Sequence, residues 1–383
     1  MNSNNLIGII SLIAVFVSLL LALFLLTVKT KNKLGNVLLA SFIILNGIDL
    51  SGWFIFIVTQ HFPNLEMFRR STATLINPVF YLYALAICFT DFKLKPIHLL
   101  HAIPFVVYNL LLMPGFYLAD YNTKILFFEN YRESTALVAI MAFAHLQFTF
   151  YIIAIFIVLK RYKKIYLENY TDTTTITYKW LFQLTVIITI VHSIVALKDL
   201  LVFTEDSTIF NRAQIIVGIN AVFILCWFVL KALYNPDLFR GIDSKLKPVE
   251  TLIAKNASTS LPLKEVHIVK NNEQIQKLRD YMFNYKPYLE PALTVQDLAN
   301  QMEMPVRDLS IMINHDLGQH FFDFVNEYRI EKAMEILRDP SQKEFTILEI
   351  LYKTGFNSKS SFNTSFKKHT NLTPTEYRKT NSR

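Results

Sequence analysis

Leu6 to Val28, LIGIISLIAVFVSLLLALFLLTV, is a run of 23 residues without a charge. About 20 consecutive apolar residues suffice for a helix to cross a hydrocarbon layer of roughly 30 Å. In lipid a lone segment must satisfy its own backbone polar groups, so a helix is the form this run can take there. A cleaved signal peptide is the competing reading. No basic stretch precedes the run, it is long for a leader, and no small-residue cleavage site follows it, so a retained span is expected.

Six further apolar segments follow, near Val37–Thr59, Thr72–Phe89, Ile97–Leu118, Ala136–Leu159, Trp180–Phe203 and Phe210–Leu233. The chain is 52% hydrophobic and 18% charged, and the apolar excess falls within its first 234 residues. An all-α architecture is therefore expected: a seven-helix transmembrane domain over 1–234, a connector over 235–285, and a helical soluble domain over 286–383. Loops on the cytoplasmic side of a membrane carry an excess of Lys and Arg. The odd loops hold ten such residues (Lys29, Lys31, Lys33, Lys93, Lys95, Lys160, Arg161, Lys163, Lys164, Lys179) and the even loops five (Arg69, Arg70, Lys124, Arg132, Arg212). The N-terminus is thus expected outside, and seven crossings deliver the soluble tail to the cytoplasm.

Polar residues at membrane depth are costly and mark sites or helix contacts. Asn46, Asp49, Asn77, His145, Gln147, His192, Lys198 and Asp199 fall within or at the ends of the expected spans. Their bland role is interhelical hydrogen bonding. Lys198 and Asp199 stand near a span end, where they could snorkel to the interface. As a set, Asn46, Asp49, His145, Gln147 and His192 make a polar ligand cavity between helices the sharper expectation. His145 and His192 have no evident third ligand for a metal. Cys88 and Cys226 are too few and too far apart for a disulfide framework or metal site.

Past Leu233 the chemistry changes. Pro236 ends the helical period, and Lys255–Glu265 reads as a linker. Ile275, Leu278, Tyr281, Met282 and Tyr285 recur at helical steps, giving one apolar face that suits either the following domain or a second copy. Two helix-turn-helix patterns come next. In LTVQDLANQMEMPVRDLSIMINHDLG, Thr294 and Asp297 have the N-cap and N3 spacing of a capping box. A turn falls near Glu303, and a second helix begins near Pro305, with Leu309 and Ile313 inward. Arg307, Ser310, Ile311 and Asn314 are left on the opposite side. In FTILEILYKTGFNSKSSFNTSFKKHT, Thr346 and Glu349 repeat the box, Gly355 makes the turn, Ser358 caps the next helix, and Phe362 and Phe366 anchor it. Lys359, Ser360, Ser361, Asn363, Thr364, Lys367 and Lys368 are then expected to face DNA. Between the two lies HFFDFVNEYRIEKAMEILRD, a helix with a broad apolar stripe, and Thr373-Pro374 with Glu376 opens a closing helix.

These landmarks, LTVQDLA, LSIMIN, FFDFVNEYRIEKAMEIL, ILEILYKTGFNSKSSFNTSFKK and TPTEYR, resemble in order and spacing the DNA-binding domain of the AraC/XylS family of bacterial transcription regulators. EILYKTGF departs from the family's usual small residue, with the bulkier Leu351 and Tyr352. The resemblance implies that Pro305–Asn314 and Ser358–His369 enter successive major-groove segments on one face of double-stranded promoter DNA. It brings an expectation of a homodimer on DNA and of contact with RNA polymerase. The whole arrangement is similar, more loosely, to membrane-bound regulators of that type, in a bacterial cytoplasmic membrane. No cofactor is implied.

Charge distribution refines this picture. Tyr285–Arg383 holds 13 cations and 13 carboxylates, but Lys353–Arg383 holds seven cations against Glu376 alone. The second pattern is thus expected to supply much of the phosphate attraction, and the first, with Arg307, more of the base-edge contact. A transport or ligand-binding membrane module with an autoregulatory DNA-binding tail is the alternative function. An enzyme is disfavoured: no nucleophile elbow, phosphate loop, metal-ligand run or paired carboxylates stand in the sequence.

Overall fold

The computed structural model describes residues 3–28, 32–59, 61–89, 91–130, 135–171, 176–201, 207–234 and 264–381. These residues are overwhelmingly helical. The chain divides into two compact units, one of Met1–Lys160 with Thr177–Ser244, the other of Arg161–Ile176 with Lys245–Arg383.

The first unit begins with α1 (Ser3–Thr27), α2 (Lys33–Leu50) and α3 (Gly52–Thr59). Then come α4 (Pro63–Ser71), α5 (Ile76–Cys88), α6 (Ile103–Leu112) and α7 (Tyr121–Glu129). It ends with most of α8 (Thr135–Asn169), α9 (Ile176–Leu200) and α10 (Ser207–Tyr234). Helix α1 packs against α2, α3 and α10, and α2 also against α5. One side of α1 buries Ala14, Ser18, Leu21, Ala22 and Leu25, while Ile9, Leu12, Ile13, Phe16, Leu20 and Phe24 point outward. The Pro96–Tyr117 segment likewise exposes Leu99, Leu100, Leu110 and Leu111. Contiguous outward apolar faces of this size are rare on proteins surrounded by water.

Among the described residues, six helical segments are long and apolar enough to cross a membrane: Gly8–Thr27, Lys33–Ile55, Pro63–Cys88, Pro96–Tyr117, Leu137–Asn169 and Tyr178–Leu200. The seventh expected span lies in α10, where the apolar stretch Thr208–Ile224 is shorter. Several boundaries move. The third segment starts at Pro63, because α4, a 3-10 turn (Thr72–Leu75) and α5 run on as one helical path. Arg69 and Arg70 therefore stand on a helix and not in a loop. The fourth is a 3-10 turn (Pro96–Ala102), α6 and a π-turn (Met113–Tyr117), since Pro104 and Pro114, inside the path, lack the N–H that a continuous helix needs. Helix α8 continues ten residues past Leu159, so Lys160, Arg161, Lys163 and Lys164 are helical too.

The second unit contains α11 (Lys264–Tyr285), α12 (Val295–Gln301), α13 (Val306–Ile311) and α14 (Phe321–Arg338). It closes with α15 (Ile347–Lys353), α16 (Lys359–Thr370) and α17 (Pro374–Asn381). The linker expected at Lys255–Glu265, like Pro236, lies outside the described residues except for Lys264 and Glu265, which open α11. The apolar face of α11 takes the first of its two options. Leu278 and Met282 are buried in a core with Leu293, Leu298, Leu309, Ile313, Phe321 and Phe324, and Ile275 and Tyr281 pack against it. Tyr285 departs from that face and is exposed, stacked on Tyr281. A second core gathers Ile330, Ala333, Leu337, Ile350, Leu351, Phe356, Phe362, Phe366 and Tyr377. Helix α14 feeds the first core from its N-terminal half and the second from its C-terminal half. Its broad stripe is thus explained as a shared spine.

Candidate functional site

The α12–α13 pair is set by local chemistry. Thr294 accepts a hydrogen bond from the Asp297 backbone N–H at 3.2 Å, and Asp297 accepts one from the Thr294 N–H at 2.9 Å. Both orphan donors at the helix start are satisfied reciprocally. The turn passes through Glu303 in a left-handed conformation, and Pro305 is the N-cap of α13 and not its first helical residue. Leu309 and Ile313 are fully buried, Arg307 is exposed and Ile311 half-buried.

Two expectations for this helix are corrected. Ser310 is buried at 5% exposure, because it packs beside Leu309 on the inner side. The Asn314 amide is engaged within the protein: its Nδ2 donates to the Ser310 carbonyl at 3.0 Å and the Glu168 carbonyl at 3.3 Å, and its Oδ1 accepts from the Phe321 N–H at 3.1 Å. As seated here, Asn314 orders the start of α14 and does not stand free for a base.

In the α15–α16 pair, Thr346 and Glu349 form the second reciprocal box at 2.7 and 3.1 Å. Hydrogen bonds from the Thr346 N–H and hydroxyl hold the Glu349 carboxyl below the usual range. Gly355 turns the chain at φ +84°, and Ser358 caps α16 by accepting from the Ser361 N–H. Phe362 and Phe366 are fully buried, which orients the rest of the helix. Lys359, Ser360, Thr364, Lys367 and Lys368 are exposed and Asn363 half-buried. Ser361 is the exception: at 6% exposure it faces the core beside Phe362, so its expected outward placement is corrected.

The basic run also has internal partners. Lys368 Nζ lies 2.6 Å from Asp323 Oδ1, and Lys353 sits 4.1 Å above the Phe345 ring. Arg378 donates to the Phe345 carbonyl at 2.7 Å. An exposed pair such as Lys368–Asp323 is worth about 0–1 kcal/mol, so a phosphate can replace it readily. Lys359, Asn363 and Lys367 follow one another at steps of four, which makes them neighbours on one helix face, and they form a polar ridge along α16.

In the first unit, Asn46, Asp49, Gln147 and His192 line one cavity of about 530 Å³. Phe42, Phe80, Phe143 and Ile188 supply apolar wall, and Asn77 and Arg70 further polar groups. Asp49 is exposed to this space. Asn46 donates to the Phe42 carbonyl of its own helix, whereas Gln147 bridges to the Thr74 carbonyl at 2.9 Å. His145 does not line the cavity. Its Nδ1 lies 3.0 Å from His192 Nε2 and its Nε2 lies 3.1 Å from Asp199 Oδ2, so it reaches the cavity through His192. His192 stacks on Phe148 at 3.5 Å. Among the described residues no group of three or more such donors could hold a metal ion. Lys198 and Asp199 do not snorkel apart: they pair at 2.5 Å and are both mostly buried.

Sequence reasoning missed Glu66, Arg329 and Thr171. Glu66 is 2% exposed and accepts from Arg69 at 2.8 Å and Arg70 at 2.7 Å, while Arg69 also donates to the Ile48 and Asp49 carbonyls. The i, i+3, i+4 spacing of Glu66, Arg69 and Arg70 was the available signal. Arg329 and Thr171 had none, because, Asn326 aside, the Arg329 partners Tyr288, Glu290 and Thr171 and the Thr171 partner Leu293 lie 39 residues or more away in sequence.

Residues 298–380 match the family model described as a helix-turn-helix domain. Over 90 residues the chain is 31% identical to YdeC of Bacillus subtilis (strain 168), named an uncharacterized HTH-type transcriptional regulator, a match covering 24% of this chain and 30% of that protein. A Staphylococcus aureus (strain COL) protein of the same description is 29% identical over 110 residues, 29% of this chain and 14% of the relative. An uncharacterized response regulatory protein of Staphylococcus epidermidis is 30% identical over 94 residues, 24% of this chain and 36% of its own length. The chain spans about a third or less of the length of these curated relatives. No solved structure matches it. The C-terminal region of this chain is a helix-turn-helix domain of the AraC type, similar to those of proteins named as transcriptional regulators.

Proposed function

We propose that this chain is a membrane-embedded, sequence-specific DNA-binding transcription regulator. The observation that carries the DNA-binding half is α16: a helix anchored by Phe362 and Phe366, capped by Ser358, presenting Lys359, Ser360, Asn363, Thr364 and Lys367 outward. A helix so placed at the end of a helix-turn-helix lies in the major groove. Arg307 and Ile311 on α13 form the second reading element; the two helices of one chain address successive groove segments of promoter DNA, and two chains bind as a homodimer. The cations of α16 hold phosphate while Arg307 reads base edges.

Seven spans, with the N-terminus outside and the DNA-binding domain in the cytoplasm, account for the outward apolar faces of α1 and α6 and for the distribution of Lys and Arg. The cavity is the sensor site. Its volume lies in the range of small-molecule pockets, about 300–1,000 Å³, and its walls combine aromatic surface with Asp49, Asn46, Gln147 and His192. A small molecule or lipid bound there shifts the regulator between states that it binds unequally.

The test is DNA binding as a function of salt for the full chain in lipid nanodiscs, on duplexes recovered by chromatin pull-down. Lys367→Ala/Lys368→Ala is expected to flatten the salt dependence by up to about two phosphate contacts. Arg307→Ala is expected to lower discrimination between sites with little change in slope. Equal changes in slope for both variants refute the division of labour, and recovery of no enriched DNA refutes the function.

A further inference from the structure

The second unit includes a piece of chain distant from it in sequence. Arg161–Ile176, the last turns of α8 and the residues beyond, belong with Lys245–Arg383. Within that unit Thr171 Oγ1 donates to the Leu293 carbonyl at 2.7 Å, and Tyr170 forms an antiparallel bridge with Thr294. Asn314 Nδ2 donates to the Glu168 carbonyl, and Arg329 Nη2 donates to Thr171 Oγ1 at 3.4 Å. Glu168, Asn169 and Thr171 are 3%, 7% and 2% exposed. Polar residues are buried this deeply where their groups are satisfied, and here part of that satisfaction comes from the DNA-binding domain.

Arg329 gives the contact its weight. It is 1% exposed, and its guanidinium also donates to the Tyr288 carbonyl at 2.6 Å, the Glu290 carbonyl at 2.7 Å and Asn326 Oδ1 at 3.2 Å. It lies 5.5 Å from the centre of the Phe356 ring. Tyr288 belongs to the core of the α12–α13 pair and Phe356 to that of the α15–α16 pair. One side chain thus touches both helix pairs, and Thr171 adds an acceptor to it.

We propose that Glu168–Thr171 is a docking arm whose partner surface is the α12–α13 pair together with Arg329, and that its seating holds the two helix pairs in their DNA-reading arrangement. Helix α8 also carries Ile140, Ala144, Gln147 and Phe148 of the cavity wall, so one uninterrupted helix bears both the arm and part of the sensor site. A signal that moves α8 then acts on DNA reading through the arm. This rests on the proposed DNA-binding function.

The test uses the full chain in nanodiscs with Cys88→Ala and Cys226→Ala, and as probe a duplex selected by that protein from a random-sequence pool. Bridge partners stand about 4.5–5.5 Å apart at Cα, within the disulfide range of about 4.4–6.8 Å. Tyr170→Cys/Thr294→Cys is expected to cross-link under mild oxidation, and the oxidised chain to bind the duplex at least as tightly as the reduced one. Thr171→Val, which removes the hydroxyl, is expected to lower affinity about tenfold. Thr171→Ser is expected to bind like the parent, and the cross-link to restore binding in the Thr171→Val background. Failure to cross-link, loss of binding on cross-linking, or an unchanged affinity in Thr171→Val overturns the arm. A protein that selects no sequence from the pool overturns the DNA-binding reading instead, and the arm's role falls with it.

Discussion

Gly355 and Gly318 offer a matched pair of perturbations. Both have positive φ, +84° and +68°. A Cβ at Gly318 meets nothing within 4 Å, whereas at Gly355 it falls 2.5 Å from the Tyr288 carbonyl oxygen and 2.9 Å from the Leu289 Cα and carbonyl carbon. Gly318→Ala should therefore cost only the left-handed backbone strain, about 1–2 kcal/mol. Gly355→Ala adds a steric clash with backbone that cannot rotate away, a further ~1–3 kcal/mol, for a total of about 2–5 kcal/mol. Native-state hydrogen exchange of the full chain reads this directly, because the slowest amides of α14 report opening of a helix shared by both cores. At about 1.4 kcal/mol per tenfold, Gly355→Ala should lower their protection by roughly thirtyfold to a few thousandfold, and Gly318→Ala by about five- to thirtyfold. If Gly318→Ala proves as damaging as Gly355→Ala, the close approach of the α15–α16 turn to Tyr288–Leu289 is not what Gly355 serves.

Arg329→Met leaves the Tyr288 and Glu290 carbonyls without their guanidinium donors. The Glu290 carbonyl keeps the Leu293 N–H at 3.3 Å, so the Tyr288 carbonyl is the acceptor left unmet. At about 1–3 kcal/mol for it, protection in α14 should fall at least about fivefold, and a change below about twofold argues against its linking role. Glu66→Gln strips the shared carboxylate from Arg69 and Arg70 and should destabilise the first unit by about 3–5 kcal/mol. All three tryptophans, Trp53, Trp180 and Trp227, lie in that unit, so their fluorescence during thermal unfolding checks this. Glu349 and Glu376 are held below the ordinary carboxylate range by N–H and hydroxyl donors from Thr346 and Thr373. With the folded value below the unfolded one, their contribution is present above the unfolded pKa, about 4.3, and is lost as pH falls through the folded value. Glu349→Gln/Glu376→Gln should flatten the acid loss of protection in α15 and α17; an unchanged profile counts against the caps as its source.

Features governed by neighbours within four residues were legible in sequence. The Thr294–Asp297 and Thr346–Glu349 boxes, the Ser358 cap, the Gly355 turn and the Phe362–Phe366 anchor all depend on spacing along one helix or turn. So did the apolar runs, since length and composition alone decide whether a helix can cross a membrane. Helix rotation was less legible. Ser310 and Ser361 sit at the edge of an inner face, and only the packing of adjacent helices settles which side of that edge they take. The polar set of the first unit was legible as a list but not as a site. The sequence offered Asn46, Asp49, His145, Gln147 and His192 equally, and helix packing put four at the cavity and the fifth behind His192.

By itself, then, the sequence determined the helical elements, their caps and the basic face of α16, because these follow from short-range hydrogen bonding and periodicity. Tertiary structure alone decided that Arg329 links two cores, and that Thr171 meets Leu293 across 122 residues of chain. Such contacts are fixed by where buried donors and acceptors find partners when water is excluded, and that is a property of the packed molecule and not of any stretch of its sequence.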